Sequence, residues 1–175
     1  MLQRSKVHKF IVLLLFIYGC KKQEQFSAIP SLKFIALDQL KNIAGKDSSG
    51  VLRLQFTDGD GDMGLSPSDT FPPFNYGSKF YFNFFINYFE KQNGEWVKIV
   101  IPPIEPGGDT LTNNSRIPNL TPVGQNKVLQ GDLNFELFTN NPFSPYDTIK
   151  YDITIADRAL NISNMVSTGE IVLVK

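Results

Sequence analysis

The chain has 175 residues, the length of one domain and enough to bury a core. Only 19% are charged, 13% are aromatic, and 11 Pro and 13 Gly punctuate the sequence, which disfavours both a disordered chain and a bundle of long helices. Of the 17 basic residues, Arg4, Lys6 and Lys9 fall before residue 20, so 14 face all 17 acids in the remainder; a net charge of −3 there argues against a nucleic-acid partner.

Met1 to Lys9 is short and basic, and Phe10 to Tyr18 is an unbroken apolar run. Nine helical residues span about 14 Å, half of a hydrocarbon core, so the run predicts an export signal and not a membrane span. Gly19-Cys20 and the polar stretch Lys21-Lys22-Gln23-Glu24-Gln25 follow. Cys20 is the only cysteine, so an intrachain disulfide is impossible. Ile17-Tyr18-Gly19-Cys20 resembles the lipobox of bacterial lipoproteins. The resemblance implies cleavage after residue 19, acylation of Cys20 and a lipid anchor in the membrane. Two or three acyl chains hold a protein stably, whereas one does not. Lys21 stands where an Asp would favour the inner membrane, so the resemblance points to the outer membrane. The expected organisation is a signal peptide over 1–19, an anchored tether over 20–30 and one domain over 31–175.

Residues 32–37 read as a first strand. In 51–57, Leu52, Leu54 and Phe56 alternate with Arg53, Gln55 and Thr57, the pattern of a half-buried strand. The stretch Asp58-Gly59-Asp60-Gly61-Asp62-Met63-Gly64-Leu65-Ser66-Pro67-Ser68-Asp69 comes next. Neighbouring carboxylates at this spacing repel by roughly 0.5–1 kcal/mol even in water. Hard oxygens gathered this way suit Ca²⁺; the alternative is a solvated acidic turn, since Asp-Gly pairs are ordinary hairpin chemistry. The stretch resembles the calcium loop of EF-hands. The resemblance implies ligands from Asp58, Asp60 and Asp62, the Gly64 carbonyl, Ser66, and Asp69 in place of the closing Glu. A strand before the loop and Pro72-Pro73 after it exclude the EF-hand helices, so only the loop chemistry carries over. Residues 56–64 also resemble a motif of uncharacterised bacterial lipoproteins with immunoglobulin-like folds, from which no activity transfers.

Residues 79–90 are rich in Phe, with Phe80, Phe82, Phe84, Ile86 and Tyr88 on one parity and Tyr81, Asn83, Phe85, Asn87 and Phe89 on the other. Asn93-Gly94 predicts a type I′ turn into a returning strand over 96–101. Residues 102–122 read as loop with a short edge strand over 116–120. Further strands are expected over 128–138, over 148–156 with Ile149, Tyr151, Ile153 and Ile155 in phase, and over 170–174. Seven or eight strands without an amphipathic helix predict an all-β antiparallel sandwich. Residues 151–163 resemble the terminal hairpin of bacterial immunoglobulin-like domains, with Leu160 where that pattern has Gly.

His8 is the only histidine and lies in the signal segment, so the remainder lacks Ser-His and Cys-His nucleophile systems and His-based zinc sites. The expected function is a membrane-anchored, non-catalytic envelope module, calcium-braced, that binds a protein partner or serves as a structural part. One alternative is a glycan-binding accessory protein that exposes Tyr81, Phe85 and Phe89. Another is a glycoside hydrolase with a carboxylate pair.

Overall fold

The computed structural model describes residues 26–103, 105, 110–122 and 127–175. The expected signal segment over 1–19, Cys20 and the first residues of the expected tether lie outside the described residues. Among the described residues there are eight strands: β1 (Ser31–Lys41), β2 (Asp47–Asp58), β3 (Phe84–Gln92), β4 (Glu95–Lys98), β5 (Leu129–Phe138), β6 (Thr148–Ile155), β7 (Val166–Ser167) and β8 (Ile171–Val172). They form two antiparallel sheets, one ordered β1-β2-β5 and the other β4-β3-β6-β7, with β8 also paired to β6. Two antiparallel sheets of this kind, sharing one core, make an all-β sandwich.

The alternation in sequence explains the layers. Leu52, Leu54 and Phe56 of β2 face Phe84, Ile86 and Tyr88 of β3 and Ile149, Tyr151, Ile153 and Ile155 of β6 across one buried core. All four apolar residues of β6 have no measurable exposure, as expected for the central strand of its sheet. The Tyr151 hydroxyl donates to the Phe138 carbonyl at 2.7 Å, which ties the end of β5 to β6 across the intervening loop. The β3–β4 turn has Asn93 at φ 53° and Gly94 at φ 90°, the two positive values a type I′ turn requires.

Several boundaries differ from the sequence expectation: β1 runs to Lys41 and not to residue 37, β2 begins at Asp47 and not at residue 51, and β4 ends at Lys98 and not at residue 101. Phe80 and Phe82 precede β3, which starts at Phe84, because Asn83 turns inward and its side chain bridges the backbone of Ile117. Residues 116–120 make an isolated bridge, Leu65 to Pro118, and not a strand; prolines at 118 and 122 leave too few donors for a ladder. The closing strand expected over 170–174 is limited to β8, and β7, which was not expected, precedes it across Gly169 at φ 73°.

The strands run between two ends. One end carries the start of β1, the close of β2 and the start of β5, with Ser31 opposite Thr57 and Asp58 opposite Leu129. The starts of β3 and the close of β6 reach the same end, with Phe84 opposite Ile155. The turns at 42–46 and 93–94 and the 139–147 loop lie at the other.

Candidate metal centre

The acidic loop leaves β2 at the first end. Asp58 is the last residue of that strand and points inward, so its carboxyl is fully buried. Asp60 and Asp62 follow at the same parity and are half-buried. One carboxylate oxygen from each of Asp58, Asp60 and Asp62 lies within 4.8 Å of the others, an arrangement that can hold a metal ion.

Glycine makes the convergence possible. Gly61 has φ 65°, and a Cβ there would lie 1.7 Å from the Lys127 carbonyl oxygen. Gly64 has φ 94°, and a Cβ there would lie 1.9 Å from the Pro118 carbonyl oxygen. A Cβ on Gly59 would come within 2.3 Å of the Phe26 carbonyl oxygen. The loop is thus packed against three other backbone segments, which only residues without a side chain permit. Further bonds fix it: Gly59 N–H donates to the Ser27 carbonyl at 2.8 Å, and Leu120 N–H to that of Met63 at 3.0 Å.

The turn after β6 closes the fourth side. Met63 pairs with Asp157, the Arg158 N–H donates to the Asp62 carbonyl at 3.3 Å, and the Ala159 N–H donates to Asp62 Oδ2 at 3.1 Å. Asp157 spends its own oxygens inside this turn, on the Asn161 N–H and side-chain amide, both at 2.8 Å.

Four oxygens in the cluster are buried with no hydrogen-bond donor: both of Asp58, Oδ1 of Asp60 and Oδ1 of Asp62. A buried, unpartnered carboxylate is among the most costly groups a fold can hold. Among the described residues none of the three acids joins an ion pair. Burial, then the neighbouring carboxyl of Asp60, then those of Asp62 and Asp157, push the Asp58 carboxyl up to about 7. Burial and the charges of Asp157 and Asp60 also raise Asp62, against the pull of the Ala159 and Arg158 N–H groups. A cation among these oxygens supplies the missing charge and the missing partners together, so the donor set fits a metal ion.

The arrangement departs from the expected loop at Asp69. That carboxylate lies outside the trio and is bonded to Arg158 at 2.5 and 3.1 Å and to the Ser66 N–H at 2.6 Å. The guanidinium of Arg158, first by hydrogen bonding, holds the Asp69 carboxyl below the ordinary carboxylate range. Ser66 Oγ accepts from Asn119 Nδ2 at 3.3 Å, and Gly64 serves close packing against Pro118. Sequence reasoning overlooked Asp157 and Arg158, which no local pattern links to a loop about 90 residues earlier.

The aromatic residues singled out for a binding surface do not form one row. Tyr81 precedes β3 and packs edge-on against Tyr76 and Phe82, with the Arg116 guanidinium 5.2 Å from its ring centre. Phe85 and Phe89 lie on the outer face of β3, half-buried. Phe80 covers the first, and Lys150 Nζ sits 4.7 Å from the ring centre of the second and 5.5 Å from that of Trp96. The Glu90 carboxylate is buried and fully engaged by Tyr88, Asn141, Gln92 and Ser144.

Neither family models, curated proteins nor solved structures give a significant match to this chain.

Proposed function

We propose that the chain is a lipid-anchored protein of the bacterial envelope whose immunoglobulin-like sandwich is braced by calcium and acts as a non-catalytic binding or structural module. One observation carries the calcium reading: Asp58, Asp60 and Asp62 bring one carboxylate oxygen each together, and four oxygens of the three carboxylates are buried without a donor. Oxygen-only donors favour a hard cation, and Ca²⁺ tolerates an irregular set completed by backbone carbonyls and water better than Mg²⁺ does. An affinity of about 0.1–1 mM suffices outside the cell.

The lipobox-like segment supports the anchor and the envelope location. The two-sheet antiparallel sandwich and the lack of histidine beyond His8 support a binding or structural role over a catalytic one. The partner belongs to the envelope, as a protein or a glycan.

Thermal melts in calcium and in chelator test the metal. At ten times its dissociation constant, calcium stabilises the fold by about 1.4 kcal/mol, a shift of about 3–5 °C. Asp60→Ala abolishes the shift. Identical melting curves in calcium and chelator would remove the metal from this reading. Mass spectrometry of the exported protein tests the anchor: Cys20 carries acyl chains, and a free thiol there refutes it.

A further inference from the structure

We infer that the end of the sandwich bearing the acidic loop is its membrane-facing end, resting on phospholipid through Ile29, Leu160, Ile162 and Met165. The inference rests on the proposed acylation of Cys20 and adds an orientation to it.

The chain enters the domain at this end. Five residues lie between Cys20 and Phe26, so six steps along the chain reach roughly 20 Å even when fully extended. The entry is pinned where it arrives. Ser27 accepts the Gly59 N–H at 2.8 Å, and the Phe26 carbonyl occupies the space a Gly59 side chain would need. Five residues on, the Asn164 side chain brackets Leu32, accepting its N–H at 2.8 Å and donating to its carbonyl at 2.9 Å. The first residues of the domain therefore cannot peel away to lengthen the tether without breaking these contacts. The opposite end is carried off by the length of β1, whose 11 residues span about 35 Å.

The same contacts gather exposed apolar side chains around the entry. Asn164 lays residues 162–165 beside the start of β1, where Ile29 is 54%, Ile162 42% and Met165 63% exposed. Leu160 stands at the tip of the turn that docks on Asp62, 36% exposed. These side chains come from two segments 130 residues apart in sequence, yet lie at the one end where the chain enters the domain. Apolar groups held within reach of a bilayer gain by entering its interfacial zone. The half-buried carboxylates of Asp60 and Asp62 share this end, and a bound cation offsets their charge toward anionic lipid.

Full-length lipidated protein in vesicles of phosphatidylethanolamine and phosphatidylglycerol provides the test. With Cys20 acylated, Met165→Cys and Ile43→Cys each offer one thiol for an environment-sensitive dye; Ile43 lies in the β1–β2 turn at the far end and is fully exposed. A nitroxide lipid should quench the dye at 165 at least about twofold more than at 43, as expected of a group in the interfacial zone. Equal quenching at both positions, or stronger quenching at 43, in protein that floats with the vesicles overturns the orientation alone. Protein that fails to float overturns the anchor and the orientation with it.

Discussion

Arg158 grips Asp69 with two hydrogen bonds, at 2.5 and 3.1 Å, and so withdraws from the acidic loop the carboxylate expected to close it. The pair spans 89 residues and locks the segment after the loop to the turn after β6. Asp69 and the Asp58, Asp60 and Asp62 trio therefore perform separable tasks. Asp69→Asn should cost about 1–2 kcal/mol, the range of a partly buried bidentate pair, while leaving the calcium-dependent rise in melting temperature intact. Asp60→Asn should do the reverse. Melts of both variants with calcium and with chelator check this. Loss of the calcium response in Asp69→Asn would return that residue to the ligand set.

The glycines of the loop give a second prediction. Gly61→Ala must push a methyl group into the Lys127 carbonyl and accept a left-handed backbone, whereas Gly94→Ala meets open space at a similar φ. The turn variant should cost about 1 kcal/mol, for backbone conformation alone. The loop variant should cost about 3 kcal/mol or more, because a backbone segment has to move. Urea denaturation ranks them, and equal losses would mean that the close approach at Gly61 is relaxed in solution.

Much of the frame was legible from residue order. Leu52, Leu54 and Phe56, and the run from Ile149 to Ile155, announced their buried faces because a strand's period of two is local information. Asn93-Gly94 fixed the hairpin for the same reason. The acidic trio was visible too, since its three carboxylates sit within five residues. The rest of the centre was hidden because it is tertiary. Arg158 meets Asp69, and Asp157 crowds Asp58 and Asp62, only after β6 has crossed into the second sheet. The start of β3 was placed too early because Phe80 and Phe82 continue its alternation; the inward turn of Asn83 that ends it depends on Ile117, 34 residues on.

Leu160 occupies the position where the resembling hairpins carry Gly, and the structure holds it at φ 70°. A side chain in this region costs about 1–2 kcal/mol through the contact between Cβ and the following carbonyl. The turn nevertheless keeps its bonds, with the Leu160 N–H donating to the Asp157 carbonyl at 3.3 Å and Asp157 capping Asn161. Leu160→Gly should therefore stabilise the protein by about 0.5–1 kcal/mol, the strain relieved minus the added freedom of the unfolded chain. A destabilised variant would show that the half-exposed Leu side chain contributes more packing than its backbone costs.

Glu90 supplies the prediction for pH. Its carboxylate is buried beneath the 139–147 loop, where Tyr88 and Asn141 donate to one oxygen at 3.0 and 2.8 Å and Gln92 and Ser144 to the other at 3.0 and 2.7 Å. Burial pushes its pKa up, but the four donors together outweigh that and hold it below the ordinary value of 4.5. Lys175, whose ammonium donates to the Ser144 carbonyl at 2.8 Å, adds a nearby positive charge; Tyr88, raised by its own burial and by Glu90, stays protonated. With the folded value depressed, the ionised group favours the folded state fully above about pH 4.5, and that contribution is lost as pH falls through the lower folded value. Glu90→Gln presents an amide nitrogen to at least one donor and cannot ionise. It should cost about 2–3 kcal/mol near neutrality, and the gap from the parent protein should narrow steadily below pH 4.5. Comparing the two proteins cancels the titration of distant carboxylates, the acidic loop included. A gap that stays constant from pH 6 to pH 3 would mean that the charge of Glu90 contributes nothing, and that its shape alone anchors the loop.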